Sequence, residues 1–310
     1  MNKKAPTYGG QALIEGVAMR GPRHLAMSVR RPSGEIVSLT KLALMPSEKG
    51  GLFNLPIMRG ALAFWDSLSL GMEMLMKSAE IAMPEEETPS KSALNLSLFL
   101  GVVIAVAMFV LLPTFLASVI LRATGMSGRA TTGLVELVIR LVLLVGYVLA
   151  ISRMQEIQRV LQYHGAEHKV LWAWENNHAA QGFRDGTWDH VGVVNTLADV
   201  AKDAPRLHPR CGTSFLFLVA ICSWVVYLFV SPPGVLHRVT ARILLLPLVA
   251  GLSYEVLKLS AGRQGVFWRI IAAPGMALQI LTTREPDTGQ LEVAAESLAH
   301  LIEVERGDSA

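Results

Sequence analysis

The stretch Tyr163-His164-Gly165-Ala166-Glu167-His168-Lys169 gathers the side chains best suited to do chemistry. His164 and His168 are four residues apart, and Glu167 is three from the first. On a helix all three share one face. Two imidazoles one turn apart can grip one metal ion, and a carboxylate beside them can take a proton from a water that the ion polarises. That is the mechanical logic of the H-x-x-E-H zinc motif, the reversed form of H-E-x-x-H. The plainer alternative is a polar helix start that happens to carry two histidines.

A second cluster is His208-Pro209-Arg210-Cys211-Gly212-Thr213-Ser214. It immediately precedes an apolar run. If that run enters a bilayer where the preceding one leaves it, His208 and Cys211 approach the first motif. His164, His168 and either His208 or Cys211 then make a three-ligand site with a position open for water. Thiolate and imidazole donors favour zinc over magnesium or calcium as the divalent metal. Glu167 is the candidate general base. Taken alone, the second cluster also reads as a loop before a helix, with Ser or Thr as its cap. Glu175 lies eleven residues after His164, on the same face, but ~10 Å from His168 at ~1.5 Å rise per residue. It either orients a ligand from another element or is solvated. His178 and His190 sit in a polar stretch and are expected to face water. His24, His237 and His300 have no evident partner.

The elements that must position these groups point to a membrane. The 310 residues are 52% hydrophobic and only 17% charged, with mean hydropathy +0.41. Met1-Asn2-Lys3-Lys4, followed by Pro6, Gly9 and Gly10, does not read as a secretory signal. Four apolar segments, Leu96–Leu121, Leu134–Ile151, Thr213–Val230 and Ile243–Leu259, are each near the ~20 residues of a spanning helix. Pro113 and Pro247 are expected to kink the first and fourth. Short loops pair them into two helical hairpins. Glu136–Arg140 and Glu255–Lys258 within the spans read first as structural pairs and second as functional groups. Lys and Arg concentrate before the first span and between the second and third. The positive-inside rule then puts both termini and the histidine motif in the cytoplasm, where Cys211 is a free thiol.

The rest is arranged around that bundle. His24 to Arg31 and Glu35 to Leu44, joined by Arg31-Pro32-Ser33-Gly34, read as a β-hairpin. Before it, residues 9–22 hold four glycines, which suggest close backbone approaches or sharp turns, with Glu15 and Arg20 as the charges; the plainer alternative on pattern alone is a surface loop with a solvated ion pair. Residues 57–82 form an amphipathic helix, interfacial or packed on the bundle. Residues 84–90 are an acidic, proline-flanked linker. Residues 262–265 are a turn. Residues 266–281 are apolar, broken by Pro274-Gly275 and expected along the interface. A short amphipathic helix around Leu291–Leu301 closes the chain. The fold class is a mainly α membrane protein: four transmembrane helices in two hairpins, an N-terminal β-hairpin segment, and interfacial or cytoplasmic helices. The boundaries are 1–90 (hairpin and interfacial helix), 91–152 (first transmembrane hairpin), 153–212 (metal-site segment), 213–260 (second transmembrane hairpin) and 261–310 (C-terminal segment).

Other chemistries lack their signatures. There is no G-x-S-x-G, no P-loop, no G-x-G-x-x-G before a helix, and no basic stripe with stacking aromatics for nucleic acid. Four blocks in order, residues 9–22, Tyr163–Lys169, His208–Ser214 and Leu281–Asp287, give the chain a further reading. It resembles the YqhQ family of bacterial membrane proteins, of unknown function and described as predicted metal-dependent enzymes. The resemblance covers nearly the whole chain; Ala18 stands where a second methionine is expected. It implies that Glu15 and Arg20 belong to the functional core, near substrate or behind the ligands. The expectation is an inner-membrane, zinc-dependent hydrolase with a cytoplasm-facing site, acting on a membrane lipid or membrane peptide. Its rival is a transporter or assembly factor whose four-ligand site of His164, His168, His208 and Cys211 is structural.

Overall fold

The computed structural model describes residues 8–44, 51–84, 91–176, 189–209, 211–230, 232, 234–260 and 265–307. The linker 85–90, His178, Arg210 and residues 262–264 of the expected turn lie outside them. The chain opens on four antiparallel strands in sequential order, β1 (Gly9–Leu13), β2 (Gly16–Arg20), β3 (His24–Arg30) and β4 (Ile36–Leu42). The hairpin expected from 24 to 44 is β3–β4. The glycine-rich stretch is a second hairpin and not a loop. Leu13 pairs with Gly16 across the two residues Ile14-Glu15, and Glu15 takes a positive φ of 52°. A non-glycine residue in the left-handed region costs about 1 kcal/mol or more. Glu15 is held there by its own contacts: Arg159 grips both carboxylate oxygens, and Arg30 N–H donates to its carbonyl at 2.8 Å.

Both faces of this sheet are covered, so β2 and β3 are apolar almost throughout. Val17, Met19 and Ala26 pack in one core with α5 (Gln155–Asn176), α6 (His190–Ala201) and α10 (Thr288–Gly307). Leu13, Ala18, Leu25, Met27 and Val29 pack in another with Met74 of α1 (Met58–Ala82). Arg20 bonds Asp66 of α1 at 2.6 Å and so ties the sheet to that helix. At its other end α1 docks on α8 (Val235–Ser260) through a bidentate Arg59–Glu255 pair at 2.7 and 2.6 Å. Glu255 is therefore held across elements, rather than by Lys258 alone.

Among the described residues, three helices are long and apolar enough to cross a membrane: Leu96–Thr124, Arg129–Ile151 and Leu236–Ser260. The first is α2 (Lys91–Val106) and α3 (Leu112–Thr124), joined by a π turn at Ala107–Leu111. The second is α4 (Arg129–Ile151). The expected third span is α7 (Thr213–Phe229), which is 17 residues long and belongs with the shorter apolar helices. So does α9 (Val266–Thr282), which runs on through Pro274 instead of breaking there. Pro113 has no N–H for the carbonyl of Phe109, four residues back. Arg140 Nε donates to that carbonyl instead, at 3.0 Å. Glu136 is buried, and Arg242 of α8 reaches it at 2.6 Å, nearer than Arg140 at 3.9 Å. Arg242 also donates to Thr114 and lies 5.1 Å from the Tyr227 ring centre. The intramembrane charges thus close on one another and on neighbouring helices.

Candidate metal centre

Helix α5 leaves the membrane helix α4 after a short break and carries the histidine motif on its inner face. Gly165 is what lets the rest of the chain approach. A Cβ there would overlap the carbonyl of Arg284, so residues 283–286 cross α5 in direct contact with its backbone. Arg284 N–H donates to Leu161 O at 2.9 Å, and Lys169 pairs with Glu285 while donating to Lys202 O at 2.9 Å. The block Leu281–Asp287 is a strap over the motif.

His164 Nε2 lies 3.2 Å from Cys211 Sγ. One ligand atom each from His164, His168 and Cys211 falls within 4.8 Å of the others, a cluster that can hold a metal ion. The far nitrogen of each ring is anchored. His164 Nδ1–H donates to Thr282 O at 2.7 Å, and His168 Nδ1–H to Arg206 O at 2.5 Å. A backbone carbonyl on Nδ1 fixes the tautomer that leaves Nε2 unprotonated and ready to ligate. His168 Nε2 is buried with no hydrogen-bond partner among the described residues. Such an atom costs free energy unless something fills its place. Cys211 sits just before α7, with the Thr213 hydroxyl at 3.3 Å from its sulfur. The donor set, two imidazoles and one sulfur, suits a divalent ion such as zinc.

Glu167 is 4% exposed, and its Oε2 lies 3.6 Å from His168 Nε2 and 3.9 Å from His164 Nε2. Burial raises its pKa, against the opposing pull of His164, His208 and the Gly10 N–H. Burial lowers the pKa of His168 and, against the charge of Glu167, that of His208. Burial thus favours the neutral form of these two rings, the form in which an imidazole binds metal. A cation in the cluster would draw Glu167 back toward ionisation.

His208 lies outside the three-residue cluster. Its Nε2 is 3.5 Å from Glu175 Oε2, its ring centre 5.7 Å from that of His168, and its edge meets Trp172. Between the two candidates for a third ligand, the geometry brings Cys211 to the histidines and sets His208 beside Glu175. Gln279 of α9 clamps the His208 backbone from both sides: His208 N–H donates to its Oε1 at 2.8 Å, and its Nε2 donates to His208 O at 2.9 Å. Glu15 and Arg20 do not reach the cluster. Glu15 is bound by Arg159, with Tyr163 O–H donating to it at 3.3 Å, and Arg20 is bound by Asp66. The polar histidine His190 is drawn between Glu296 and Glu303, each at 3.0 Å, and does not simply face water.

Sequence reasoning expected close backbone approaches or sharp turns among residues 9–22 but did not single out Gly10. A Cβ there would stand 2.6 Å from Glu167 Cγ and 2.9 Å from Ala18 O, so only glycine admits the carboxylate this close to β1. The signal was present as the pair Gly9-Gly10. Gln279 and Thr282 left none, since an ordinary amide and a backbone carbonyl in an apolar helix announce nothing.

A family model described as a protein of unknown function, DUF1385, matches residues 55–184 and 191–304. The chain is 33% identical, over 320 residues, to the uncharacterized protein YqhQ of Bacillus subtilis (strain 168), across 98% of this chain and 95% of the relative. No solved structure matches. The family model begins beyond the sheet, while the relative's match takes in nearly the whole chain, including the strand that meets Glu167. With two stretches of the family model and a near full-length relative in agreement, the chain belongs to the DUF1385/YqhQ family.

Proposed function

We propose that the protein is a membrane-embedded, zinc-dependent hydrolase whose site faces the cytoplasm. The observation that carries this reading is the pairing of a His164–His168–Cys211 cluster with a buried carboxylate under 4 Å from both imidazole nitrogens. His164, His168 and Cys211 would hold the ion, and Thr282 O and Arg206 O keep the two rings oriented. The metal would supply Lewis acidity to water and to the substrate carbonyl. Glu167 takes a proton from the attacking water. The water oxygen bonds to the acyl carbon, the bond from that carbon to the leaving group breaks, and Glu167 passes its proton to the leaving nitrogen or oxygen. The substrate is a membrane peptide or a lipid, since the cluster lies where α5, α7 and α9 meet the apolar helices. Four crossings, with α7 as the third, and both termini in the cytoplasm complete the proposal.

The structural-metal rival needs His208 as a fourth ligand, and the set of ligand atoms lying close together is His164, His168 and Cys211 without it, which supports an open position. The closure of Glu136 onto Arg242 gives a transport reading no support. The test is complementation of a deletion strain. Glu167→Gln keeps size and neutral hydrogen bonding but removes the base, which typically costs ~10²–10⁴ in rate. It should fold, keep its metal and fail to complement. Full complementation by Glu167→Gln would sink the hydrolase reading.

A further inference from the structure

The strand next to Glu167 is an edge strand. In the sheet order β1-β2-β3-β4, β1 has β2 on one side and, among the described residues, no strand on the other. Its register fixes which main-chain groups face outward. Alternate pairs of an antiparallel ladder exchange both hydrogen bonds. Leu13↔Gly16 closes the two-residue turn and is a bonded pair, so Gln11↔Ala18 and Gly9↔Arg20 are bonded too. Gly10 and Ala12 therefore turn their N–H and C=O groups to the open edge. Gly10 N–H is directed at Glu167. Ala12 N–H and C=O have no hydrogen-bond partner among the described residues. Gly9, Gly10 and Gln11 are exposed.

An open edge invites another strand, and folded proteins usually guard it with lysine, proline or a bulge. β4, the opposite edge, carries Lys41, paired with Glu73. β1 reads Gly-Gly-Gln-Ala-Leu and carries no charge, proline or bulge. The unguarded edge is the one that passes the cluster. We propose that β1 takes an extended peptide as an added strand, with the N–H and C=O of Ala12 registering its main chain so that a peptide bond reaches Glu167 and the His164–His168–Cys211 cluster. This inference rests on the hydrolase reading and names its substrate class as a polypeptide in extended form. Main-chain donors and acceptors in strand register suit a peptide, whereas an acyl chain has nothing to bond them. A lipid would look instead to the apolar grooves beside α9, of about 380 and 510 Å³, lined by Phe217, Pro274 and aliphatic side chains.

The experiment uses purified full-length protein in detergent and three hydroxamates: acetohydroxamate, acetyl-tetra-alanine hydroxamate and palmitoyl hydroxamate. All three carry the same metal-binding group. The tetra-alanine compound should bind about tenfold or more tighter than acetohydroxamate, because main-chain bonds add to chelation. Ala12→Pro removes one outward N–H and leaves the β1–β2 bonds of residues 9, 11 and 13 in place. It should erase most of that gain without changing acetohydroxamate binding. Independently of metal, acetyl-tetra-alanine amide at millimolar concentration should slow deuterium exchange at the wild-type Ala12 amide. That arm stands even if Ala12→Pro fails to fold. No slowing at Ala12, or equal binding of tetra-alanine hydroxamate by wild type and Ala12→Pro, overturns the inference. A palmitoyl gain indifferent to Ala12→Pro, with no tetra-alanine gain, overturns it in favour of a lipid. Failure of all three hydroxamates to bind, with the Ala12 amide still slowed, removes the metal reading and leaves the peptide edge standing.

Discussion

Glu167 shows how one residue can be expensive to fold and still be kept. Its carboxylate is buried among imidazoles and one backbone N–H, and burial raises its pKa above the ordinary carboxylate value. A raised folded-state pKa means the folded protein holds its proton where the unfolded chain has released it. Its contribution to stability is then fully present below the ordinary carboxylate pKa and is lost as pH rises through the folded-state value. In metal-free protein, Glu167→Gln, which cannot ionise, should therefore melt higher than wild type at pH 8. The gap should shrink as the pH falls toward 4.5. Thermal melts at both pH values check this, and a wild type that melts higher at pH 8 would contradict it. The H-x-x-E-H spacing made this residue legible, because a helix converts spacing into a shared face. The choice of Cys211 over His208 was not legible, because both lie in one short loop whose path is set by Gln279, far away in sequence.

At the scale of elements, α9 is the part whose role sequence hid most fully. It read as an apolar stretch broken at Pro274-Gly275 and is one helix that holds two parts of the site. Thr282 O anchors His164, and Gln279 clamps the loop that leads to Cys211. Gln279→Ala would remove the side-chain acceptor of the buried His208 N–H and one of two donors to its C=O, which keeps the Cys211 N–H at 3.2 Å. At roughly 1–3 kcal/mol for one buried group left short, the loss should be about 1–3 kcal/mol, with weaker metal retention. A melt and a metal assay on the same sample check it; unchanged values in both would show that the clamp is idle. The β3–β4 hairpin was legible because Pro32-Ser33-Gly34 is ordinary turn chemistry between apolar runs. The β1–β2 hairpin was not. Its turn is Ile14-Glu15, with no Asn-Gly or Asp-Gly signal, and Glu15 holds its left-handed backbone through Arg159, Arg30 and Tyr163. The glycines beside it pointed to close backbone approaches or sharp turns but not to strands.

Taken whole, the molecule sets a covered sheet and the histidine helix beside a bundle of apolar helices. The three long apolar helices follow from composition and length, which need no knowledge of contacts. The partner of Glu136 does not: Arg242 is 106 residues away and just outside the expected fourth span, yet it is buried in α8. With Arg242 paired inside the bundle, the loops facing away from the motif carry fewer solvated cations, which strengthens the charge asymmetry behind the proposed orientation. A reporter fused in the loop around Met126 should lie outside the cytoplasm, and one fused after Ala310 inside it. Both on one side would displace the proposed site from the cytoplasmic face.

The central claim is that His164, His168 and Cys211 hold a metal ion. Elemental analysis of purified protein tests it most directly. Wild type and Glu167→Gln should each carry close to one zinc, or a related divalent metal, per chain. The His164→Ala, His168→Ala double variant should carry almost none, since too few protein ligands would remain. Metal retained in the double variant, or a wild type that binds none when purified with zinc present, would contradict the account.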